Sequence, residues 1–193
     1  MIDKDIVYDL ACLSFKLVMS SKYVNEMFIK HNISCLPDFN SLGPTRLHFT
    51  DSFINVRDPE CETGFAIAFD CKGHYPIISV NTDILSKELS IFEISDMMEI
   101  VNSFVKSMLH ETRHLVQFYE TCIQTGSIAR GIETYTDISR YVIEKYPWPF
   151  TPLENDALNT MYTIDPFNDF YDSSITPLIQ KLIMELSDRE EED

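Results

Sequence analysis

The chain has 193 residues, of which 15 are Lys or Arg and 31 are Asp or Glu, so its formal net charge is −16. So large a negative charge argues against binding to nucleic-acid phosphates and against docking on an anionic membrane. The hydrophobic content of 45%, with 13 Phe, argues against disorder and predicts one folded domain. We assign that domain to residues 1–193, with an N-terminal helical segment (1–31) and an acidic C-terminal tail (188–193).

The first five residues, Met1-Ile-Asp-Lys-Asp5, are acidic and lead into no long apolar run, so we expect neither a signal peptide nor a membrane anchor. No segment approaches the roughly 18 continuous apolar residues of a membrane-spanning helix. The five cysteines are an odd number without a Cys-x-x-Cys pair, which favours reduced, buried thiols over disulfides or a thiolate metal site. These features predict a cytoplasmic protein.

The first half of the chain changes from helical to strand-like character. Residues 3–30 carry apolar positions at helical spacing without Gly or Pro, which predicts one or two helices, and 31–44 reads as a loop. Short runs rich in aromatic and β-branched residues then predict three or four strands: Leu47–Phe49, Phe53–Val56, Gly64–Phe69 and Tyr75–Val80. Their short connections favour a mostly antiparallel sheet, with a hairpin at Gly73 and the last strand at an edge because of Pro76.

The second half of the chain is predicted to be helical. The apolar periodicity and capping residues indicate four helices, at about 95–120, 127–145, 152–162 and 175–188. Pro147, Pro149 and Pro152 must interrupt helical structure between the second and third of them. The fold class is therefore α+β, a small, mostly antiparallel sheet packed on helices.

The run His110-Glu111-Thr112-Arg113-His114 indicates a specific chemistry. Residues four apart share one face of a helix, so the imidazoles of His110 and His114 can bind one metal ion. Glu111 then lies beside them, suited to deprotonate a metal-bound water. This is the pattern of a zinc hydrolase helix, and it predicts a Zn²⁺ cofactor.

A catalytic zinc usually has three protein ligands, and two later carboxylates are candidates for the third. Glu133 precedes Asp137 by four residues, so Glu133 can bind the metal while Asp137 supports a histidine ligand. Glu154 lies in the first turn of a helix that follows the proline-rich loop, where the helix dipole favours a carboxylate. An ordinary acidic surface would explain either residue, and spacing alone leaves both open.

These motifs resemble a known family. The chain is similar to zincin metallopeptidases, and in particular to small intracellular and phage-associated proteins with a His-Glu-x-Arg-His-x-x-Gln helix. The first motif is matched by His110, Glu111, Arg113, His114 and Gln117, and a second, Pro-x-Glu-x-Asp-Ala, by Pro152, Glu154, Asp156 and Ala157. The resemblance covers about residues 75–160 and implies a minimal zincin-like fold with an edge strand that pairs with extended substrate.

The resemblance also bears on the third ligand. It implies Glu154, with Glu133 as the second choice because its helix resembles the Glu-x-x-x-Asp helix of thermolysin-like gluzincins. A transition-state donor is also required, and Tyr135, Tyr141, Tyr162 and His74 are candidates.

The function expected from the motif is zinc-dependent hydrolysis of peptide bonds in a protein or peptide substrate, with Glu111 as general base. Two alternatives come from other classes. One is a catalytically inactive protein that keeps a zincin scaffold for binding. The other is an acidic interaction or inhibitor protein that binds a basic partner through its charge of −16. The sequence leaves the oligomeric state open.

Overall fold

The structure is a computed structural model that describes residues 4–33, 46–51, 64–69, 76–89, 97–146 and 150–163, together with the isolated residues 180 and 184. Three strands lie between two groups of helices along the chain. The elements are α1 (Lys4–Ser20), α2 (Lys22–Lys30), β1 (Arg46–Thr50), β2 (Phe65–Phe69), β3 (Pro76–Asn81), α3 (Thr82–Leu89), α4 (Met97–Thr125), α5 (Ile128–Lys145) and α6 (Pro152–Thr163). The predicted α+β class is confirmed.

The N-terminal helical segment consists of two helices, as the sequence predicted. The break lies at Ser21, whose side-chain oxygen accepts a hydrogen bond from the N–H of Val24 at 3.1 Å and so caps α2. Helix α1 buries Val7, Leu10 and Val18 against the rest of the core. This segment therefore packs as part of the hydrophobic core.

The sheet differs from the prediction of mostly antiparallel pairing. Its strand order is β1-β3-β2, with β1 parallel to β3 and β2 antiparallel to β3, so the sheet is mixed. The predicted antiparallel pairing of the strands at 64–69 and 75–80 is confirmed, with Ile67 opposite Ile78. The expected strand at 53–56 and the turn at Gly73 lie outside the described residues.

The edge position predicted for the last strand is wrong, because β3 is central among the described strands. Pro76 is its first residue, a position that costs the ladder little even in a central strand. Ile78 and Val80 are fully buried, as expected for a strand that is paired on both sides. Helix α3, which the sequence analysis did not predict, begins directly after β3, where the Asn81 side chain accepts hydrogen bonds from the N–H groups of Asp83 and Ile84.

Helix α4 is the central element of the fold. It contacts α1, α2, α5, α6 and β2, and it buries Met108, Leu109, Leu115, Val116 and Phe118 completely. It is longer than predicted, and its expected Ser95 cap lies outside the described residues. Because α4 is held on several sides, side chains on it occupy fixed positions.

The two following helices match their predicted positions. Helix α5 begins after Ser127, whose side chain accepts from the N–H of Arg130, and α6 begins at Pro152. The proline-rich segment separates them, as predicted. The expected helix at 175–188 and the acidic tail at 188–193 fall outside the described elements. None of the helices in the described ranges has both the length and the apolar character needed to cross a bilayer.

Two of the five cysteines, Cys12 and Cys122, lie among the described residues, and the expected burial holds for Cys122, whereas Cys12 is half-buried. Cys12 and Cys122 are free thiols, and Cys122 is buried between α4 and α5. Burial raises the pKa of the Cys122 thiol to about 12, so this side chain stays protonated and unreactive at neutral pH.

Gly131 allows α5 to approach α4 closely, and we expect Gly131→Ala to destabilise the protein. An added Cβ would lie 2.9 Å from the Cα of Cys122 and against its sulfur, so the helices would have to move apart. Overpacking costs about 1–3 kcal/mol, partly offset by about 1 kcal/mol from the better helix propensity of Ala. Because the added Cβ meets main-chain as well as side-chain atoms, we expect the upper part of that range, a net loss of about 1–2 kcal/mol, and a Tm lower by about 2–8 °C in thermal unfolding.

The matched control for this variant is Thr136→Ala, at an exposed position on the same helix. It should leave the Tm unchanged within about 1 °C, since exposed substitutions shift stability little. An unchanged or higher Tm for Gly131→Ala would contradict close contact between the two helices.

Candidate metal centre

His110 and His114 lie one turn apart on the same face of α4, as the four-residue spacing predicts. Their Nε2 atoms are 3.1 Å apart, and the rings meet edge to face with centroids 4.7 Å apart. His114 is buried and His110 is half-buried. Both imidazoles thus direct the same nitrogen toward one point.

Glu154 completes the group from α6. Its carboxylate oxygen lies 3.2 Å from His110 Nε2 and 3.5 Å from His114 Nε2. The first turn of α6 is fixed by Thr151, whose hydroxyl accepts a hydrogen bond from the N–H of Glu154 at 3.1 Å. Ala157, one turn later, is fully buried, which is consistent with the close packing of α6 on α4.

The three donor atoms are spaced as metal ligands would be. His110, His114 and Glu154, which we call the metal-ligating group, each offer one ligand atom. These atoms lie within 4.8 Å of one another, so the group can hold a metal ion. Ligands about 2.0–2.2 Å from a tetrahedral zinc are separated from one another by roughly 3.3–3.5 Å. The measured separations of 3.1, 3.2 and 3.5 Å lie close to that range.

Charge within the group suits a cation. Burial raises the pKa of the Glu154 carboxyl, but hydrogen bonds from His110 and His114 outweigh it, and the pKa lies well below its usual range. Burial lowers the pKa of the His114 imidazole, yet the carboxylates of Glu154 and Glu111 reverse the effect and raise it. A metal ion bound here would take the place of the proton that these carboxylates favour on His114.

Glu111 lies next to the histidines and is only 7% exposed. Burial raises the pKa of its carboxyl, while the charges of His114 and His110 and a hydrogen bond from the backbone N–H of Ile67 lower it. The net direction is upward. A buried carboxylate with a raised pKa is the kind of group that accepts a proton in catalysis.

The contact between Glu111 and Ile67 brings β2 into the site, which the sequence analysis did not foresee. Gly64 accepts a hydrogen bond from Asn81 of β3, and hydrogen-bonded positions alternate along an antiparallel strand. The N–H of Ile67 is therefore directed away from β3 and toward α4. No local sequence signal marks this contact, since it depends on which strand lies at the edge.

The second-choice ligand lies elsewhere. Glu133 is exposed on α5 and does not belong to the metal-ligating group found among the described residues. Asp137, expected to support a histidine ligand, is exposed and lies 3.5 Å from Arg140. The structure thus brings Glu154, and not Glu133, to the two histidines.

Three of the four candidate transition-state donors, Tyr135, Tyr141 and Tyr162, lie in the described part of the chain. Tyr135 packs edge to face against Phe118, with ring centroids 5.9 Å apart. Tyr141 accepts a hydrogen bond from Lys145 at 2.9 Å, and Tyr162 is 70% exposed. His74 lies outside the described residues.

Gln117 takes the supporting position that the sequence analysis gave to Asp137. Its side-chain oxygen lies 2.9 Å from His114 Nδ1, and its amide nitrogen contacts α6. Arg113 also contacts α6, through Asp156. Both residues belong to the His-Glu-x-Arg-His-x-x-Gln pattern, and the i, i+3 spacing of His114 and Gln117 was the available signal.

Comparison with protein-family models, with curated proteins and with solved structures finds no match to this chain.

Proposed function

We propose that this protein is a zinc-dependent metallopeptidase that hydrolyses peptide bonds with Glu111 as general base. The observation that carries the proposal is the spacing of three donor atoms, from His110, His114 and Glu154, at 3.1–3.5 Å from one another beside a buried glutamate. A purely structural zinc site is usually closed by four protein ligands. Three protein ligands leave a position for water, as catalytic zinc sites do.

The donor set favours zinc, although two histidines and one carboxylate also serve ferrous iron. Zinc has no geometric preference of its own and accepts the near-tetrahedral spacing of the three atoms. Glu111 adds a proton acceptor that hydrolysis requires. When bound, zinc lowers the pKa of a coordinated water and polarises the carbonyl group that the water attacks.

The residues of the chain then divide the remaining work. Glu111 accepts a proton from the attacking water and passes it to the amine nitrogen as the peptide C–N bond breaks. The N–H of Ile67 holds the Glu111 carboxylate in place. Burial of Glu111 excludes bulk water and raises the proton affinity of its carboxylate.

The strand β2 offers a place for an extended substrate. Within the described part of the chain, β2 pairs with β3 alone, and its other edge lies beside Glu111. A peptide that adds to this edge as a further strand would pair on either side of Ile67, whose own N–H is held by Glu111, and would pass the metal-ligating group. The sequence analysis expected the edge strand at Tyr75–Val80, whereas this proposal uses β2.

The proposal is tested by assaying peptide hydrolysis with metal removed and restored. Purified protein is stripped with a chelator, reloaded separately with zinc, iron(II) or manganese, and incubated with a mixture of peptides that mass spectrometry follows. We expect cleavage products to appear with zinc, to disappear on chelation and to return on reloading. An inactive zincin scaffold would bind zinc and yield no products, and an acidic interaction protein would bind no metal.

A further inference from the structure

Gln117 contacts the metal-ligating group on one side and α6 on the other. Its Oε1 lies 2.9 Å from Nδ1 of His114, and its Nε2 lies 2.7 Å from Oδ2 of Asp156 and 3.1 Å from the carbonyl oxygen of Leu153. The side chain is buried, with an exposure of 7% for the residue. A buried amide in this position has little freedom to turn.

The partners on α6 determine which way the amide faces. A carboxylate oxygen and a main-chain carbonyl oxygen only accept hydrogen bonds, so the group between them must be the NH₂ of Gln117. With the amide turned around, its oxygen would face the oxygens of both Asp156 and Leu153, and both contacts would be repulsive. The oxygen of the amide must therefore face His114.

The orientation of the amide in turn determines where His114 carries its proton. An amide oxygen accepts hydrogen bonds, so Nδ1 of His114 must bear the hydrogen that it donates. In a neutral imidazole the other nitrogen, Nε2, then has a lone pair. This atom lies 3.5 Å from Glu154 and 3.1 Å from His110 Nε2, and when His114 is neutral the hydrogen bond to Glu154 comes from His110 alone, whose Nε2 is nearer at 3.2 Å.

We propose that Gln117 is the positioning residue that selects the metal-binding tautomer of His114, and that Asp156 acts through it by fixing the direction of the amide. The inference deepens the proposed function, on which its metal-binding part rests. Metal-ligating histidines usually have a carboxylate, carbonyl or water at the outer nitrogen. Here a neutral amide takes that place, and the carboxylate stands one hydrogen bond further away.

Asp156 has a second contact with α4, which fixes its position further. The Nε of Arg113 donates to the same Oδ2 atom at 2.7 Å, so one carboxylate oxygen joins two side chains of α4. Asp156 follows Glu154 by two residues on α6. Docking of α6 through Asp156 therefore sets the position of Glu154 and the tautomer of His114 together.

A plainer role would be to tie α4 to α6 without effect on His114. The two roles differ in a property that can be measured directly, the protonation of the imidazole nitrogens. Gln117→Met removes both the acceptor and the donor while keeping the length of the side chain. Gln124→Met is the matched control, the same substitution two turns further along α4 at an exposed position.

The experiment records nitrogen spectra of the histidine rings in metal-free protein at alkaline pH, where the imidazoles are neutral. We expect His114 of the wild type and of the control to carry hydrogen on Nδ1. In Gln117→Met we expect a substantial share of His114 to carry it on Nε2. Zinc affinity, measured by competition with a chromophoric chelator, should fall by about 10–100-fold in Gln117→Met and stay unchanged in the control.

Gln117→Glu separates positioning from structural support. It keeps an acceptor for Nδ1 but loses the donors to Leu153 and Asp156, so the protein should be less stable while His114 stays protonated on Nδ1. If Gln117→Met does not fold, the wild type still tests the inference, because a His114 that carries its hydrogen on Nε2 would overturn it.

Two results would overturn the inference. One is a wild-type His114 that carries its hydrogen on Nε2, and the other is a folded Gln117→Met with the wild-type tautomer and zinc affinity. Failure of the proposed function is a distinct result, because a wild type that takes up no zinc contradicts the metal site while the tautomer of His114 still tests the role of Gln117.

Discussion

Replacing both His110 and His114 by alanine should reduce the zinc content of the purified protein from about one ion per chain to none. The two imidazoles supply two of the three donor atoms, and the carboxylate of Glu154 alone cannot hold zinc against water and buffer. Elemental analysis of tag-free protein, after reconstitution with zinc and removal of excess metal, gives the stoichiometry. Iron and manganese are measured in the same samples.

The matched control is His48→Ala, which removes an exposed histidine from β1 and should keep the full zinc content. Circular dichroism must show that the double variant is folded, because the substitution leaves Glu154 and Glu111 without the imidazoles beside them. Retention of zinc by a folded double variant would place the metal elsewhere. Absence of zinc from the wild type after reconstitution would remove the basis of the proposed function.

Helix α4, which carries His110 and His114, was the most predictable part of the site, for a physical reason. The periodicity of α4 and the spacing of His110 and His114 are properties of a single helix, so sequence alone fixes which side chains share a face. The candidate third ligand is different, because the Glu154 carboxylate, 40 residues beyond His114, reaches the histidines only through the packing of α6 on α4. Spacing alone left Glu133 and Glu154 open, and the resemblance to a family was needed to prefer Glu154.

The sheet illustrates a second limit. Short connections favour antiparallel neighbours, and β2 and β3 obey this preference. Strand β3, however, also pairs with β1 on its other side, and this second pairing is parallel. Strand order depends on which apolar faces meet in the core. The sequence of one strand can indicate that it is central, but it specifies neither the neighbours of that strand nor their direction. The available signal that β3 is central was the nearly continuous apolar run of its sequence, in which Ile78 and Val80 are buried.

Changing Glu111 to Gln should abolish hydrolysis while the zinc content stays the same. The substitution preserves size and can still accept the hydrogen bond from the Ile67 N–H, but an amide cannot take up a proton from water. General-base catalysis contributes about 10²–10⁴-fold, so we expect the rate of peptide cleavage to fall by at least that factor. Zinc binding should persist, because Glu111 does not belong to the group of ligand atoms.

Glu133→Gln is the matched control, since it makes the same chemical change at an exposed glutamate that was the second candidate for the third ligand. It should leave zinc content and cleavage rate unchanged, whereas Glu154→Gln should weaken zinc binding. Cleavage that survives Glu111→Gln would mean that another group accepts the proton. A different result would favour a binding protein on a metal-stabilised scaffold. In that case the wild type binds zinc but cleaves no peptide, and the biological effect of the protein is unchanged in Glu111→Gln. Two measurements, zinc content and cleavage rate, therefore distinguish the three glutamates. We expect the change at Glu111 to lower only the rate, the change at Glu154 to weaken zinc binding, and the change at Glu133 to affect neither.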